Sequence, residues 1–228
     1  MGFFDDAGLE QLRSQVGEDD NLAWFHERLV SGDLGLRQLA DVYCDIADDP
    51  PTGLAVLRWL ATALGEPSVR RVEGDHTAHE DRPQLIHGDL VADGVVVADA
   101  HLLVTGSVRA RALISDYDSR TTILGDVDVD VVMTNGALYV GGDVRARDLV
   151  LTSEAGLSMG AASVTTRRYI NDQGHPDVFG ALVADHQLAL PADNGRLGEH
   201  FVADLVRSGG LDFEGLLERV RQAGPVFA

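Results

Sequence analysis

A parallel β-solenoid of about five coils, flanked by an N-terminal helical subdomain and C-terminal helices, is the fold this sequence predicts within the α+β class. Three observations carry it. One short phrase recurs between Leu85 and Val164, reading LIHGDLVAD, LVTGSVRAR, TILGDVDVD, YVGGDVRAR and LSMGAASVT. Its glycines, Gly88, Gly106, Gly125, Gly142 and Gly160, are spaced by 18, 19, 17 and 18 residues. A unit that short cannot bury its own apolar side, so it must stack on its neighbours. Finally, the residues after each glycine alternate apolar and charged, which is the period of a strand with one face buried.

The chain ahead of the repeats divides at about residue 66 and carries helical patterning. Leu9, Leu12 and Val16 lie one turn apart, Leu22, Phe25 and Leu29 follow the acidic break at Glu18 to Asp20, and Leu34 to Ile46 form a third segment ending at Asp49-Pro50-Pro51. A fourth segment is expected from a Thr52 cap through Leu54, Leu57, Leu60 and Leu64, stopped by Gly65 and Pro67. The third and fourth segments have the size of a helix-turn-helix, but the fourth offers only Arg58 to a phosphate, so a helical cap or docking surface is the better reading. Glu66 to Pro83 is polar and turn-rich and reads as a linker. It contains His76, His79 and Glu80, with His87 nearby, but Gly74 and Pro83 favour a loop there and no metal site is assigned.

In the solenoid, expected over residues 84–170, aligning the glycines gives two inward columns. They are Leu90, Val108, Val127, Val144, Ala162 and Ala92, Ala110, Val129, Ala146, Val164. The interleaved outward columns read Val91, Arg109, Asp128, Arg145, Ser163 and Asp93, Arg111, Asp130, Arg147, Thr165. Stacked about 4.8 Å apart, Asp93, Arg109, Arg111, Asp128, Asp130, Arg145 and Arg147 would form ion ladders. Each exposed pair is worth about 0–1 kcal/mol, so their expected role is to fix register and not to hold a ligand. Val95 to Val97, Leu113 with Ile114, Val131 to Met133 and Leu149 to Leu151 read as a second strand per coil. Corners follow at Ser115 to Arg120, Thr134 to Ala137 and Thr152 to Gly156. Asp116, Tyr117 and Asp118, in the first of these corners, are the candidate partner-binding residues. Residues 171–228 are expected to end the solenoid with one or two strands through Leu182 and Leu190, a helix through Leu197, Phe201 and Leu205, and another through Leu211 to Val220, acting as terminal caps.

Composition narrows the function. The formal net charge is -19, from 37 acidic against 18 basic residues, and every basic residue is arginine. Such a surface disfavours nucleic acid and anionic membranes and favours a basic protein partner. Carboxylates at phosphate-like spacing, as a DNA mimic needs, are not seen, because the outward columns mix signs. Cys44 is the single cysteine, so there is neither a disulfide framework nor a cysteine zinc site. With no apolar leader or membrane-length run in the sequence, a cytoplasmic protein is expected. No catalytic residue and no cofactor is assigned.

The phrases GDLVADGVVV, GSVRARALIS, GDVDVDVVM and GGDVRARDLVL resemble the bactofilin-like, polymer-forming β-helical proteins of bacteria. Ala137 to Leu151 and the C-terminal LLERVRQAGPVF resemble more closely a group of bacterial β-solenoids often found in conflict settings. That resemblance implies a non-enzymatic binding protein, such as an immunity or antitoxin-like binder of a cationic partner, working as a monomer or small homo-oligomer. Two alternatives accompany it. A bactofilin-like self-assembling scaffold would grow by stacking coil ends. A hexapeptide-repeat acyltransferase, which also uses 18 residues per coil, would need His87 or His101 as its base, but the unequal coils and the Gly-Asp starts do not follow its six-residue rule.

Overall fold

A computed structural model describes residues 50–79, 83–116, 119–153, 159–172, 178–207 and 210–228. The three helical segments expected before residue 49, and the side chains of Tyr117 and Asp118, lie outside the described residues. Within them the molecule is a parallel β-solenoid of about six turns.

Helix α1 (Pro50–Ala63) leads into the coils. It starts two residues before the expected Thr52 cap, because proline has no N–H to lose in a first turn and its fixed φ suits a helix start. The first coil holds β1 (Ser68–Val72), β2 (His76–Ala78) and β3 (Gln84–Ile86). The next two hold β4 (Gly88–Ala92), β5 (Val95–Ala98), β6 (Leu102–Val104), then β7 (Val108–Arg109), β8 (Ala112–Ser115) and β9 (Arg120–Ile123). Further on, strands run through the corners. These are β10 (Val127–Thr134), β11 (Ala137–Val140), β12 (Asp143–Thr152), β13 (Met159–Asp172) and β14 (Val178–Leu190). All pair in parallel and give the coil three walls. The first wall stacks β1, β4, β7 and the leading parts of β10 and β12, the second stacks β2, β5, β8 and their trailing parts, and the third stacks β3, β6, β9 and β11. β13 and β14 complete all three.

The ladder thus reaches from Ser68 to Leu190, beyond the expected limits at both ends. The expected linker contains β1 and β2. Their side chains are too polar to show a buried period because this is the terminal rung. Arg70, His76 and Gln84 occupy the register of Leu90, Val96 and Leu102 in the next coil, all three of which belong to the core. Polar groups at the inward positions of a terminal rung discourage another strand from stacking there. At the other end, β14 pairs with β13 and, among the described residues, with nothing else, and Val183 on it is 62% exposed.

The walls differ in how they are covered, and the sequence pattern follows. Strands of the first wall alternate buried and exposed, as in Val127 to Asp130. Second-wall segments are buried throughout. Their inward residues Val96, Leu113, Val132 and Val150 fill the lumen, while Val97, Ile114, Met133 and Leu151 face outward under the C-terminal residues. An unbroken apolar run is what a strand covered on both faces requires. The third wall is covered by α1, which packs on β9 and β11, with Val56, Leu57 and Leu60 fully buried.

The C-terminal residues therefore lie along the second wall and do not cap the last coil. Leu197, Phe201 and Leu205 are buried there as their spacing suggested, but with Leu197 and Leu205 on 3-10 turns at Asn194–Glu199 and Ala203–Leu205 and Phe201 between them, instead of on one α-helix. Gly195 and Gly198 each weaken helix formation by about 1 kcal/mol relative to alanine. A short hairpin of β15 (Val206–Arg207) and β16 (Gly210–Leu211) follows. Helix α2 (Phe213–Arg221) is capped by Asp212, whose carboxylate accepts from the Gly215 N–H at 3.0 Å.

Register is set at the corner entering the first wall. Backbone bonds link Gly106 N–H to Gly88 O at 3.0 Å, Gly125 to Gly106 at 2.9 Å, Gly142 to Gly125 at 3.1 Å and Ala162 to Gly142 at 3.0 Å. The anchor of that coil is thus Ala162, not Gly160, and Val144 stands beside Val164. The two-residue slip keeps every side chain on its expected face, so alternation alone could not reveal it. A Cβ on Gly142 would lie 2.3 Å from Asp126 Oδ1 and 2.8 Å from Gly125 O, and Gly88 adds a φ of +112°. Gly142→Ala should therefore destabilise the protein by about 1–3 kcal/mol, read as a lower urea midpoint. An unchanged midpoint would mean that the corner is not closely stacked.

Candidate functional site

The residue after each corner glycine performs a second task. Asp89 Oδ1 accepts the Ser107 N–H at 2.8 Å, Ser107 Oγ accepts the Asp126 N–H at 3.1 Å, and Asp126 Oδ1 accepts the Asp143 N–H at 2.9 Å. Asp143 then accepts the Ser163 hydroxyl at 2.7 Å. A short side chain with an acceptor oxygen is required at this position, which accounts for the Gly-Asp and Gly-Ser starts. The Asp143 N–H, and after it the Arg145 guanidinium, hold the Asp126 carboxyl below the usual carboxylate range. Asp126 thus adds stability above the ordinary carboxylate pKa and loses it as pH falls through the lowered value.

The expected ion ladders are realised in part. Arg147 meets Asp130 at 2.9 Å and also Asp148 at 3.3 Å. Arg145 stands beside Asp128 in register but swings to the corner, where Asp126 and Asp143 each lie 2.9 Å away. Two carboxylates flanking one guanidinium outcompete a single one. Arg111 leaves the ladder to donate to the Val220 and Arg221 carbonyls at the end of α2, the latter at 2.9 Å. There it satisfies acceptors that a helix C-terminus leaves open. Among the described residues, Asp93, Arg109 and Asp128 form no ion pair. Thr165, not Ser163, follows Arg145 in the column.

Both histidines considered as bases are engaged in structure. Thr105 Oγ1 accepts the Gly88 N–H at 2.8 Å and lies 2.9 Å from His87 Nδ1, while His87 Nε2 lies 3.1 Å from the Gly65 carbonyl. This chain joins the end of α1 to the corner. His101 Nδ1 accepts the Arg120 N–H at 3.1 Å. His76 is buried in the first coil, where burial holds its pKa below the ordinary value, and His79 is exposed. Among the described residues no group of three or more potential ligands is placed to hold a metal ion, and no helix is long and apolar enough to cross a membrane.

Beside the predicted partner-binding corner lies a cleft of about 310 Å³ at the end of the second wall. One side is the corner column Asp116, Asn135 and Ser153, whose N–H groups bond to the preceding rung at Ala98, Ser115 and Thr134. Ser153 Oγ donates to Asn135 Oδ1 at 3.3 Å, and hydroxyl bonds among Ser115, Ser119 and Thr121 hold the corner beneath. The floor is Ile114, Met133 and Leu151. The opposite side is the first turn of α2, with Phe213, Glu214 and Leu217. Asp116 is thus brought into the cleft. The α2 residues come from about a hundred positions away, and no local sequence signal pairs them with the corner. An apolar floor with two carboxylates in its lining suits a long side chain with an alkyl stem and a cationic head.

Comparison of the chain with protein-family models, with curated proteins and with solved structures finds no match.

Proposed function

We propose that the protein is a non-enzymatic, cytoplasmic binding module that takes a basic protein partner, inserting a lysine or arginine side chain into the cleft between the second wall and α2. The observation that carries this reading is the cleft itself, in which Asp116 and Glu214 join the apolar surfaces of Met133, Leu151 and Leu217. The net charge of -19 supports it by drawing basic partners in at long range. Neutralisation of a basic toxin is one role such a module would fill. Tagged protein should capture a stoichiometric basic partner from the native organism, and Glu214→Arg should weaken that complex by about tenfold or more. Recovery of the same partner at equal affinity by the variant would place binding elsewhere, and the absence of any stoichiometric partner would remove the reading.

A second reading, self-assembly, is favoured by one observation, the outer edge of β14, which pairs with no described strand and carries the exposed Val183. Because the first coil ends in Arg70, His76 and Gln84, two last coils would meet each other and close the assembly at two copies. Sedimentation equilibrium should then give a dimer that Val183→Lys returns to monomer. A monomer in the unaltered protein, or filaments, would contradict it.

A further inference from the structure

Between the cleft and the last coils, the column that the second wall turns toward the C-terminal residues is apolar until its last two rungs. That column runs Val95, Ala112, Val131 and Leu149 through successive rungs, then changes to Arg168 and His186 in the last two. Directly over them the C-terminal residues place His200, whose ring centre is 4.7 Å from that of His186. They also place Phe227, whose ring centre is 4.2 Å from the Arg168 guanidinium carbon. Arg168 is 4% exposed and His200 is 5% exposed. Among the described residues, Arg168 Nε and Nη1, and His200 Nε2, are buried with no hydrogen-bond partner.

The charges around this cluster are nearly all of one sign. His200 faces His186 and Arg168 from β14 and β13, and Arg196 and Glu199 from its own turn. Arg168 is flanked by Arg167, with Asp148 on β12 as its nearby acid, and Asp148 is already bonded to Arg147. A proton on His200 would therefore place a second cation beside a buried arginine with little to offset it. Burial, then His186 and Arg168, hold the His200 pKa below its ordinary 6.5. The same cluster sits on the contacts that fasten the cover's end, the Phe201 to Phe227 bridge and the Ala228 N–H to His200 O bond of 3.2 Å.

We propose that residues 194–228 form an acid-released cover of the second wall, with the Arg168, His186 and His200 cluster as its trigger. Above pH 6.5 His200 is neutral and the cover is held by its buried apolar residues. Below that value the released form takes up protons that the covered form resists, so the opening equilibrium rises by up to about tenfold per pH unit for each proton gained. Release uncovers the strip of Val97, Ile114, Met133 and Leu151 and removes the α2 side of the cleft. The cover opens in this way whether or not the cleft takes a partner, so the test needs no partner.

Amide hydrogen exchange of the full chain at pH 7.5, 6.5 and 5.5, expressed as protection factors, reads the opening directly. Protection over 197–207 and 213–221 should fall as pH drops, while β4, β7 and β11 hold theirs. Arg168→Leu, which continues the Leu149 column, should raise protection of the cover and shrink its pH dependence. Should that variant fold poorly, an NMR titration of His200 in the unaltered protein decides, and a midpoint at or above 6.5 counts against the trigger. Equal protection of the cover at pH 7.5 and 5.5, a loss shared by the whole solenoid, or an undiminished pH response in Arg168→Leu would each overturn the proposal.

Discussion

Everything in this molecule hangs on how closely the coils stack at the corner entering the first wall. The backbones of Gly106, Gly125 and Gly142 each lie against the glycine below, and that of Gly88 against Ser68, leaving no room for a Cβ at these four positions. The following Asp or Ser reaches one rung along to accept an N–H that the turn would otherwise leave open. Contact and hydrogen bond require each other, since the acceptor reaches the next rung only at that spacing. Once the corner is fixed, the register of all three walls follows, and with it which residues fill the lumen.

From that register comes a division of labour among the walls. The third wall is buried under α1 and the second under the C-terminal residues, and the second reads in the sequence as apolar runs such as Val95 to Val97. Among the described residues the first wall stays open, alternates in β4 and in the leading part of β10, and carries the arginines and aspartates of the repeats. Those charges serve the scaffold. Arg145 ties two corner carboxylates together, Arg147 spans adjacent rungs, and Arg111 binds the end of α2. The cleft on which the proposed binding rests lies elsewhere, where the C-terminal residues meet the second wall. The same contact encloses the cleft and buries the Arg168 cluster, so the proposed binding and the proposed release would both act on one interface.

Much of the fold was legible in the sequence because a short repeat with a glycine anchor leaves few alternatives. Val127, Asp128, Val129 and Asp130 announce a half-buried strand, and the Gly-Asp phrase marks the corner. What the sequence hid has physical causes. Terminal rungs trade apolar residues for polar ones, so the stretch with Arg70 and His76 reads as a linker. A slip of two residues preserves the faces, so Gly160 could pass for Ala162. Long arginine side chains choose the best carboxylate within reach, which made Asp126 and Asp143, not Asp128, the partners of Arg145. Asp116 could be suspected from its corner, but Glu214 and Leu217 reach it only through tertiary packing.

The register of the corner admits a direct chemical test. In the structure Arg145 lies beside Thr165 on the exposed face, with Ser163 displaced by two residues along the strand. Neighbouring parallel strands lie about 4.8 Å apart, within disulfide reach, whereas a two-residue offset carries the Cα atoms beyond about 7 Å. With Cys44 replaced by serine, the Arg145→Cys, Thr165→Cys pair should oxidise to an intramolecular disulfide in the folded protein. The Arg145→Cys, Ser163→Cys pair should remain reduced, and the opposite result would contradict the stacking on which the structure depends.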